Sequence, residues 1–307
     1  MEKRLLAILR LAIKYNASDI HFCKKNEDIE IFMRIDNIPR KIKPNIGDDK
    51  LIRYLQYRSN LDIGNLTKPQ TGQFEVDIDD NVLSLRFAVI NSFSGTNAVL
   101  RILNSNLKVN ANNLSNLNYQ NDFFKKLLTY DNGLILFSGP TGSGKTTTLY
   151  SLLNSVSNSM IYTIEDPIEV YSNKYVQLQI NETLGFDYEA GIKQILRHDP
   201  DIIMIGEIRD DKAAKMALRA ANTGHLVLST IHASNASSCI SRMVDLGVNE
   251  NYLYEMLLCL VNQKMTINKE NRKQVVYEIM DKKEIEYFRM HRHNSDSFLS
   301  IDKQLNA

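Results

Sequence analysis

Cysteine is scarce in this chain of 307 residues. The three cysteines, Cys23, Cys239 and Cys259, lie far apart, and none belongs to a C-x-x-C pair. An odd number of widely spaced cysteines argues against a disulfide-stapled secreted domain and against a zinc knuckle. The pattern is typical of a protein that folds in a reducing compartment, and we expect no bound zinc.

An excess of charge of one sign is also missing. The chain carries 37 Lys and Arg against 36 Asp and Glu, which gives a net charge of +1. A dedicated nucleic-acid-binding protein usually has a strong basic excess, because it must neutralise phosphates. We therefore expect no direct nucleic-acid partner. The hydrophobic fraction of 43% is that of a folded globular protein and excludes wholesale disorder.

Long apolar runs are absent as well. The apolar run near the N-terminus is interrupted by Arg10 after five residues, too few for a signal peptide or a membrane span. Its apolar residues instead recur at helical spacing, namely Leu5, Leu6, Leu9, Ala12 and Ile13. This stripe predicts an amphipathic surface helix, and we expect a cytoplasmic protein.

The first hundred residues predict a small antiparallel α+β domain, over 1–103. A helix is predicted over 51–57, and strands over 19–22, 30–35, 74–78, 83–89 and 98–103. In the strand over 83–89 the odd-numbered residues are all apolar and predict the core face, whereas Arg86 lies on the opposite face. Eight of the eighteen residues at 104–121 are asparagine, which favours turns and places a linker over 104–118.

The rest of the chain predicts a second domain over 119–264, followed by a C-terminal extension over 265–307. Short apolar strands alternate with helices, which indicates a mostly parallel sheet covered on both faces. Strands are predicted over 133–138, 160–164, 202–205 and 226–230. Helices are predicted over 119–130, from 145, and over 188–197, 211–221, 236–246 and 252–263.

A phosphate-binding loop follows the first of these strands. Residues 139–146, G-P-T-G-S-G-K-T, match G-x-x-x-x-G-K-[ST] in full. Backbone N–H groups of such a loop surround phosphate oxygens, the lysine contacts the β/γ-phosphates and the threonine holds Mg²⁺. We therefore expect ATP and Mg²⁺ as ligands, with these binding residues: Gly139, Pro140, Thr141, Gly142, Ser143, Gly144, Lys145, Thr146 and Thr147.

Acidic residues follow two further strands. Glu207 follows the apolar strand over 202–205 after one glycine, Gly206, and we expect it to bind the metal or its water. Glu165 and Asp166 follow the strand over 160–164, and Pro167 ends that strand. Ligands bind at the carboxyl edge of parallel sheets, so both positions suit catalysis. The alternative for each acid is an ordinary solvated loop carboxylate.

Histidines and arginines complete the candidate groups. His225 and His232 flank the strand over 226–230, about 23 Å apart if extended, so they cannot both contact one phosphate. An arginine can stabilise phosphate charge in the transition state, although most arginines form surface ion pairs. Spacing alone does not choose among five candidates: Arg86, Arg101, Arg197, Arg209 and Arg219.

Taken together, these motifs resemble those of the secretion and pilus motor ATPases. Residues 164–169 (I-E-D-P-I-E) resemble the Asp box of that family, and residues 196–210 (L-R-H-D-P-D-I-I-M-I-G-E-I-R-D) its atypical Walker B. Residues 223–233 (T-G-H-L-V-L-S-T-I-H-A) resemble its His box. Four N-terminal segments are also similar to the family, at 17–21, 34–36, 69–72 and 100–103.

The resemblance implies a PAS-like N-terminal domain and a RecA-like P-loop ATPase domain, assembled as a homo-hexamer with ATP between the domains. It assigns the Walker B role to Glu207, a water-positioning role to Glu165, and contacts with the nucleotide to Arg86 and Arg101. The coupling of hydrolysis to movement is assigned to a further set: His225, His232, Arg197, Arg209 and Arg219.

Departures from the family pattern narrow the expected function. No four-cysteine zinc insertion is present, and Gln263-Lys264-Met265 stands where relatives often have Q-R-L. The combination most resembles the compact assembly ATPases of competence pili, which take up DNA. We expect a motor at the inner face of the cell membrane that acts on an integral-membrane platform protein. The alternatives are a pilus retraction motor, a RecA-like DNA translocase and a non-hydrolysing ATP-binding scaffold.

Overall fold

The chain folds into two compact units, Met1–Asn106 and Leu107–Ala307. The computed structural model describes residues 1–26, 28–35, 38–64, 68–79, 81–93, 95–103, 111–181, 184–267 and 273–291. Each unit contains one sheet, and the mixed α/β class is confirmed. Of the predicted linker, residues 104–110 lie outside the described residues, whereas Ala111 and Leu114 are buried in the core of the second unit.

An antiparallel sheet of six strands forms the first unit, in the order β3-β2-β1-β6-β5-β4. Its elements are α1 (Glu2–Lys14), β1 (Asp19–Lys25), β2 (Asp28–Ile35), β3 (Ile38–Ile42), α2 (Leu51–Arg58), β4 (Gln70–Ile78), β5 (Asn81–Ser92) and β6 (Gly95–Leu103). Sequence reasoning found these strands except β3, which pairs with β2. The PAS-like assignment for this unit remains a prediction.

The core of the first unit lies between one face of this sheet and the two helices. In β5 Leu85, Phe87 and Val89 are buried in it, as the alternation predicts. Arg86 lies on the opposite face, and in the antiparallel register of β5 and β6 its position is opposite that of Arg101. Both arginines therefore lie on the face of the sheet away from the core.

Helix α1 closes that core and confirms the predicted amphipathic helix. Its buried residues are Leu5, Ile8, Leu9 and Ala12, whereas Ile13 is largely exposed. Apolar residues three and four apart lie on one face of a helix, so this face packs on the sheet. No helix in the described part of the chain is both long and apolar enough to cross a membrane.

The second unit contains a sheet of seven strands in the order β13-β12-β7-β11-β10-β8-β9. Its elements are α3 (Asn118–Leu127), β7 (Gly133–Ser138), α4 (Lys145–Ser155), β8 (Ile161–Glu165), β9 (Val176–Gln179), α5 (Tyr188–Ile195), β10 (Ile202–Ile208), α6 (Asp211–Asn222), β11 (Leu226–Ile231), α7 (Ser238–Asp245), α8 (Glu250–Met256), β12 (Leu257–Ile267), β13 (Lys273–Asp281) and α9 (Lys282–His291). All neighbouring strands are parallel except β13, which runs antiparallel to β12.

Both faces of this sheet are covered, as the continuous apolar strands predict. In β7 Leu134 and Leu136 belong to one core cluster, whereas Ile135 and Phe137 belong to the other. Successive side chains of a strand point to opposite faces, so each cluster fills one side of the sheet. The mostly parallel sheet expected from the sequence is therefore confirmed.

The prediction of one helix over 252–263 is wrong. Helix α8 ends at Met256, and the chain continues as β12, which inserts beside β7 in the sheet. Its first half is a continuous apolar run, because a parallel strand is buried on both faces. Periodicity cannot distinguish such a run from a buried helix. Strand β12 also continues past residue 265, where the sequence placed the start of a C-terminal extension.

Strand β13 and helix α9 occupy part of that predicted extension. In β13 the side chain of Tyr277 is 1% exposed, and its ring packs edge-on against Phe124 at 5.0 Å. The hydroxyl of Tyr277 lies 3.1 Å from the hydroxyl of Thr148, within hydrogen-bond distance. The C-terminal strand is therefore part of the core beneath helix α4. Residues 268–272 and 292–307 lie outside the described residues.

We predict that Tyr277→Ala lowers the free energy of unfolding of this unit by about 3–5 kcal/mol, the usual cost of removing a buried aromatic ring. Tyr252→Ala on α8 is the matched control, because that ring is 59% exposed, and it should change stability by less than about 0.5 kcal/mol. Urea unfolding followed by circular dichroism measures both. Equal midpoints for the two variants would contradict a structural role for β13.

Candidate functional site

The phosphate-binding loop connects β7 to α4 through three glycines in conformations that other residues avoid. Gly139 has φ +135°, Gly142 has φ +79° and Gly144 has φ +87°. A Cβ on Gly139 would lie 2.1 Å from the carbonyl oxygen of Gln263, so the loop passes against β12 without room for a side chain. Gly144 ends the loop and precedes the first residue of α4. The N-terminus of α4 thus faces the space that the loop encloses, a favourable position for an anion.

Lys145 is the first residue of α4 and lies over the loop. Its Nζ donates hydrogen bonds to the carbonyl oxygens of Gly139 at 2.8 Å and Pro140 at 3.1 Å. Burial lowers the pKa of Lys145, and the carboxylates of Glu207 and Glu169 act in the opposite direction. An ammonium group close to helix N–H groups suits the binding of polyphosphate.

Strand β12 supports the loop from the neighbouring position in the sheet. Gln263 is fully buried, and its Nε2 donates to the carbonyl oxygen of Ser143 at 2.6 Å. Asn262 Nδ2 donates to Ser138 Oγ at 2.9 Å. Sequence reasoning missed this support, because it assigned both residues to a helix. They hold the loop, whereas neither lines the cavity described next.

A cavity of about 590 Å³ opens at the carboxyl ends of β8, β10 and β11, beside the loop. It gathers residues from all four motifs found in the sequence. The lining residues are Thr141, Gly142, Gly144, Lys145, Thr146, Thr147, Leu149, Glu165, Asp166, Pro167, Glu169, Tyr188, Met204, Gly206, Glu207, Arg209, Thr230, His232 and Met265. Of the predicted loop residues, Gly139, Pro140 and Ser143 form its backbone turn without lining the cavity.

Glu165 ends β8 and is almost completely buried, with 2% of its surface exposed. Its Oε1 accepts hydrogen bonds from the hydroxyl of Tyr150 at 2.6 Å and from the hydroxyl of Thr163 at 2.7 Å. Burial raises the pKa of Glu165, and the hydrogen bonds partly oppose that rise. The carboxyl group is therefore held by neutral donors in a poorly solvated position.

Glu207 has a different environment, because an arginine contacts one of its oxygens and a histidine the other. Arg209 Nε donates to Oε2 at 2.8 Å, and His232 Nε2 lies 2.8 Å from Oε1. Arg209 also approaches Asp166, with 3.6 Å between Nη1 and Oδ2. The Walker B, Asp and His boxes therefore meet in one network around Glu207.

Several predicted site residues lie elsewhere. His225 stands at the other end of β11 from His232, where its Nδ1 is 3.2 Å from the carbonyl oxygen of Ala220. Arg197 and Arg219 lie outside the cavity lining. Arg86 and Arg101 belong to the first unit, where Arg101 Nε donates to Asp19 at 2.7 Å. The coupling and nucleotide roles given to these residues remain predictions.

Other cavity residues were not singled out from the sequence. Glu169 lies in the loop after β8, and its place in the I-E-D-P-I-E run was the available signal. Tyr188 comes from α5, and no sequence motif marks it. Met265 comes from β12, and the sequence marked it only as part of the segment that departs from Q-R-L. Burial raises the pKa of Tyr188 above its usual range, so its hydroxyl stays protonated at neutral pH. These residues add polar and apolar surface beside the acids.

Comparison with known proteins shows to which family the chain belongs. A model described as "Type II/IV secretion system protein" matches residues 1–297. The chain belongs to this family. Competence protein ComGA from Bacillus subtilis (strain 168) is 35% identical over 270 residues, which cover 86% of this chain and 76% of that protein. The resemblance drawn from the motifs is therefore confirmed.

Two further proteins are similar to this chain, one in sequence and one as a solved structure. A putative type II secretion system protein E from Escherichia coli (strain K12) is 38% identical over 264 residues, covering 84% of this chain and 54% of that protein. This chain thus spans about half the length of that relative. The solved structure of the pilus retraction motor PilT with bound ADP has a TM-score of 0.76 and 27% identity, covering 94% of this chain and 88% of that one.

Of the residues that line the cavity, Lys145 is the one whose loss should weaken nucleotide binding most directly. We predict that Lys145→Ala lowers the affinity for ATP by about 10- to 100-fold, because a charge-assisted hydrogen bond contributes about 1.5–3 kcal/mol. Lys193→Ala is the control, since Lys193 is an exposed α5 residue that pairs with Glu189. Titration with a fluorescent ATP analogue measures both. Unchanged affinity in Lys145→Ala would refute the phosphate-binding role.

Proposed function

We propose that this chain is an ATP-hydrolysing motor that powers the assembly of a competence pilus for DNA uptake. The observation that carries the proposal is the single cavity in which Lys145, Glu165 and Glu207 meet beside the phosphate-binding loop. Similarity to Competence protein ComGA over 86% of the chain supports the biological role. The bound ADP of the PilT structure supports nucleotide as the ligand of this family.

The charge of the cavity supports a metal-bound nucleotide. Four carboxylates line it, from Glu165, Asp166, Glu169 and Glu207, against the permanent cations of Lys145 and Arg209. A triphosphate adds several negative charges to this excess, and like charges repel strongly in a partly buried site. Mg²⁺ reduces the repulsion and prefers oxygen ligands, which Thr146 and Glu207 both supply. The residues therefore fit the ion that the family implies.

Each residue then has a defined part in hydrolysis. Lys145 and the helix N-terminus bind the phosphate oxygens and neutralise charge that develops on them. Glu165 orients the attacking water and accepts its proton, a role that suits a carboxyl group whose pKa burial has raised. Mg²⁺ supplies additional charge neutralisation when bound. Arg209 and His232 hold the Glu207 carboxylate in place beside the phosphates.

The working form is proposed to be a homo-hexamer at the inner face of the cell membrane. Motion of the two units during the ATP cycle would act on an integral-membrane platform protein. The family resemblance supports this arrangement, and the near-neutral net charge is consistent with a protein partner in place of nucleic acid.

Steady-state ATP hydrolysis across a series of protein concentrations tests the proposal. We predict a specific activity that rises with concentration, because assembly completes the site. Glu207→Gln should reduce turnover by about 100-fold or more, the scale of a lost acid–base or metal-binding group. Glu189→Gln, which removes an exposed carboxylate of α5, should leave turnover unchanged. Absence of hydrolysis at every concentration would instead favour an ATP-binding scaffold.

A retraction motor is the second candidate, because the PilT structure matches 94% of the chain. Deletion of the gene separates the two directions of movement. We predict that cells without this protein lack competence pili and no longer take up DNA. Excess pili in the deletion strain would contradict assembly and support retraction.

A further inference from the structure

Beyond the residues of the ATPase motifs, we infer that Tyr150 is a positioning residue for Glu165, and that Gln177 in turn holds Tyr150. The inference rests on the proposed role of Glu165 in hydrolysis. Tyr150 lies in α4 and does not line the cavity, so it acts through the carboxyl group that it contacts. No motif used in the sequence analysis includes either Tyr150 or Gln177.

The first observation is the geometry of the carboxyl group. The hydroxyls of Tyr150 and Thr163 both donate to Oε1 of Glu165, at 2.6 Å and 2.7 Å. Rotation of the carboxyl group therefore breaks two short hydrogen bonds at once. Because Tyr150 is fully buried, water cannot readily replace its hydrogen bond. These two donors fix the orientation of Glu165 in the cavity.

The second observation is a hydrogen-bonded chain that continues to the loop after β8. Gln177 Nε2 donates to the Tyr150 hydroxyl at 3.0 Å and to the carbonyl oxygen of Val170 at 2.8 Å. Its Oε1 accepts from the backbone N–H of Ser172 at 2.8 Å. Since the Tyr150 oxygen accepts from Gln177, its own proton is directed to Glu165. The loop that carries Asp166 and Glu169 is thus tied to the same carboxyl group.

Helix α4 connects the contact between Tyr150 and Glu165 to the phosphate-binding loop. The helix starts at Lys145, and Tyr150 follows five residues later, about 7.5 Å along the axis. A shift of the helix on phosphate binding therefore moves the Tyr150 hydroxyl together with Lys145. The phosphate-binding residue and the water-orienting residue are joined by one rigid element and one hydrogen bond.

Burial and the neighbouring groups shift the pKa of both partners in the hydrogen bond between Tyr150 and Glu165. Burial and the neighbouring Glu165 raise the pKa of Tyr150 well above its usual range, so it stays a donor. Burial and Glu169 raise the pKa of Glu165, whereas Tyr150, Thr163 and Gln177 lower it. Burial raises the pKa of Tyr188 in α5, and Glu165 is one of the carboxylates that add to that rise. The other titratable or charged side chains that line the same cavity are those of Lys145, Asp166, Glu207, Arg209 and His232.

Tyr150→Phe tests the inference, because it removes only the hydroxyl. We expect kcat to fall about 10-fold, as for loss of one hydrogen bond to a charged group, while KM for ATP changes less than twofold. Loss of a donor to the carboxylate raises the pKa of Glu165, so the acidic limb of the pH profile of kcat should move to higher pH. Gln177→Ala should produce a smaller change in the same direction.

Tyr175→Phe is the matched control. Its ring lies 6.0 Å from that of Tyr150, and its hydroxyl donates to Asn154 and not to Glu165. A purely structural effect would appear in both variants, in their kcat and in their thermal unfolding. A readout independent of turnover is the pKa of Glu165 from ¹³C-glutamate NMR, assigned with Glu165→Gln, which should rise in Tyr150→Phe alone.

The outcomes separate the inference from the proposal on which it rests. Full turnover in Glu165→Gln would refute the catalytic role of Glu165, and the inference with it. A strong loss in Glu165→Gln together with unchanged kcat, pH profile and Glu165 pKa in Tyr150→Phe would overturn the inference alone. If Tyr150→Phe fails to fold, wild-type kinetics and an unchanged Glu165 pKa in Gln177→Ala would also overturn it.

Discussion

The parallel pairing of four strands is the constraint on which the candidate site depends. Strands β7, β11, β10 and β8 run in the same direction and in matched register, with Ile135 opposite Leu228 and Met204 opposite Thr163. The carboxyl ends of parallel strands therefore meet at one edge of the sheet, where ligands bind in open α/β folds. The loop after β7, Glu165 at the end of β8 and Glu207 in β10 are distant in sequence but come together there. Without this common direction the motifs would be separate loops.

The same edge of the sheet carries several carboxylates, and the structure stabilises two of them, Glu207 and Glu165, in different ways. Glu207 is paired with Arg209 and approached by His232, so its charge is compensated by neighbouring side chains. Glu165 is compensated by hydroxyl donors in a buried position, and its pKa is raised. An acid and a base with different tasks need such different surroundings. The two carboxylates thus have different surroundings within one cavity.

Sequence reasoning predicted the parts of the site that depend on local spacing. The phosphate-binding loop and the acids after β8 and β10 follow directly from short motifs beside apolar strands. Strand β12 was assigned to a helix, since a strand buried on both faces has no alternation to reveal it. Gln263 and Tyr150 were missed for a related reason. Their roles arise from contacts across the sheet or into a helix, with Ser143 and Glu165, that no local pattern records.

The difference between the two acids also bears on which one orients water. Burial raises the pKa of Glu165, which makes its carboxylate a better proton acceptor than a fully solvated one. A metal ion and the phosphates it accompanies need a lasting negative partner, which an ion-paired Glu207 supplies. These environments support the proposal that Glu207 binds the metal and Glu165 orients the water, the division that the family resemblance implies.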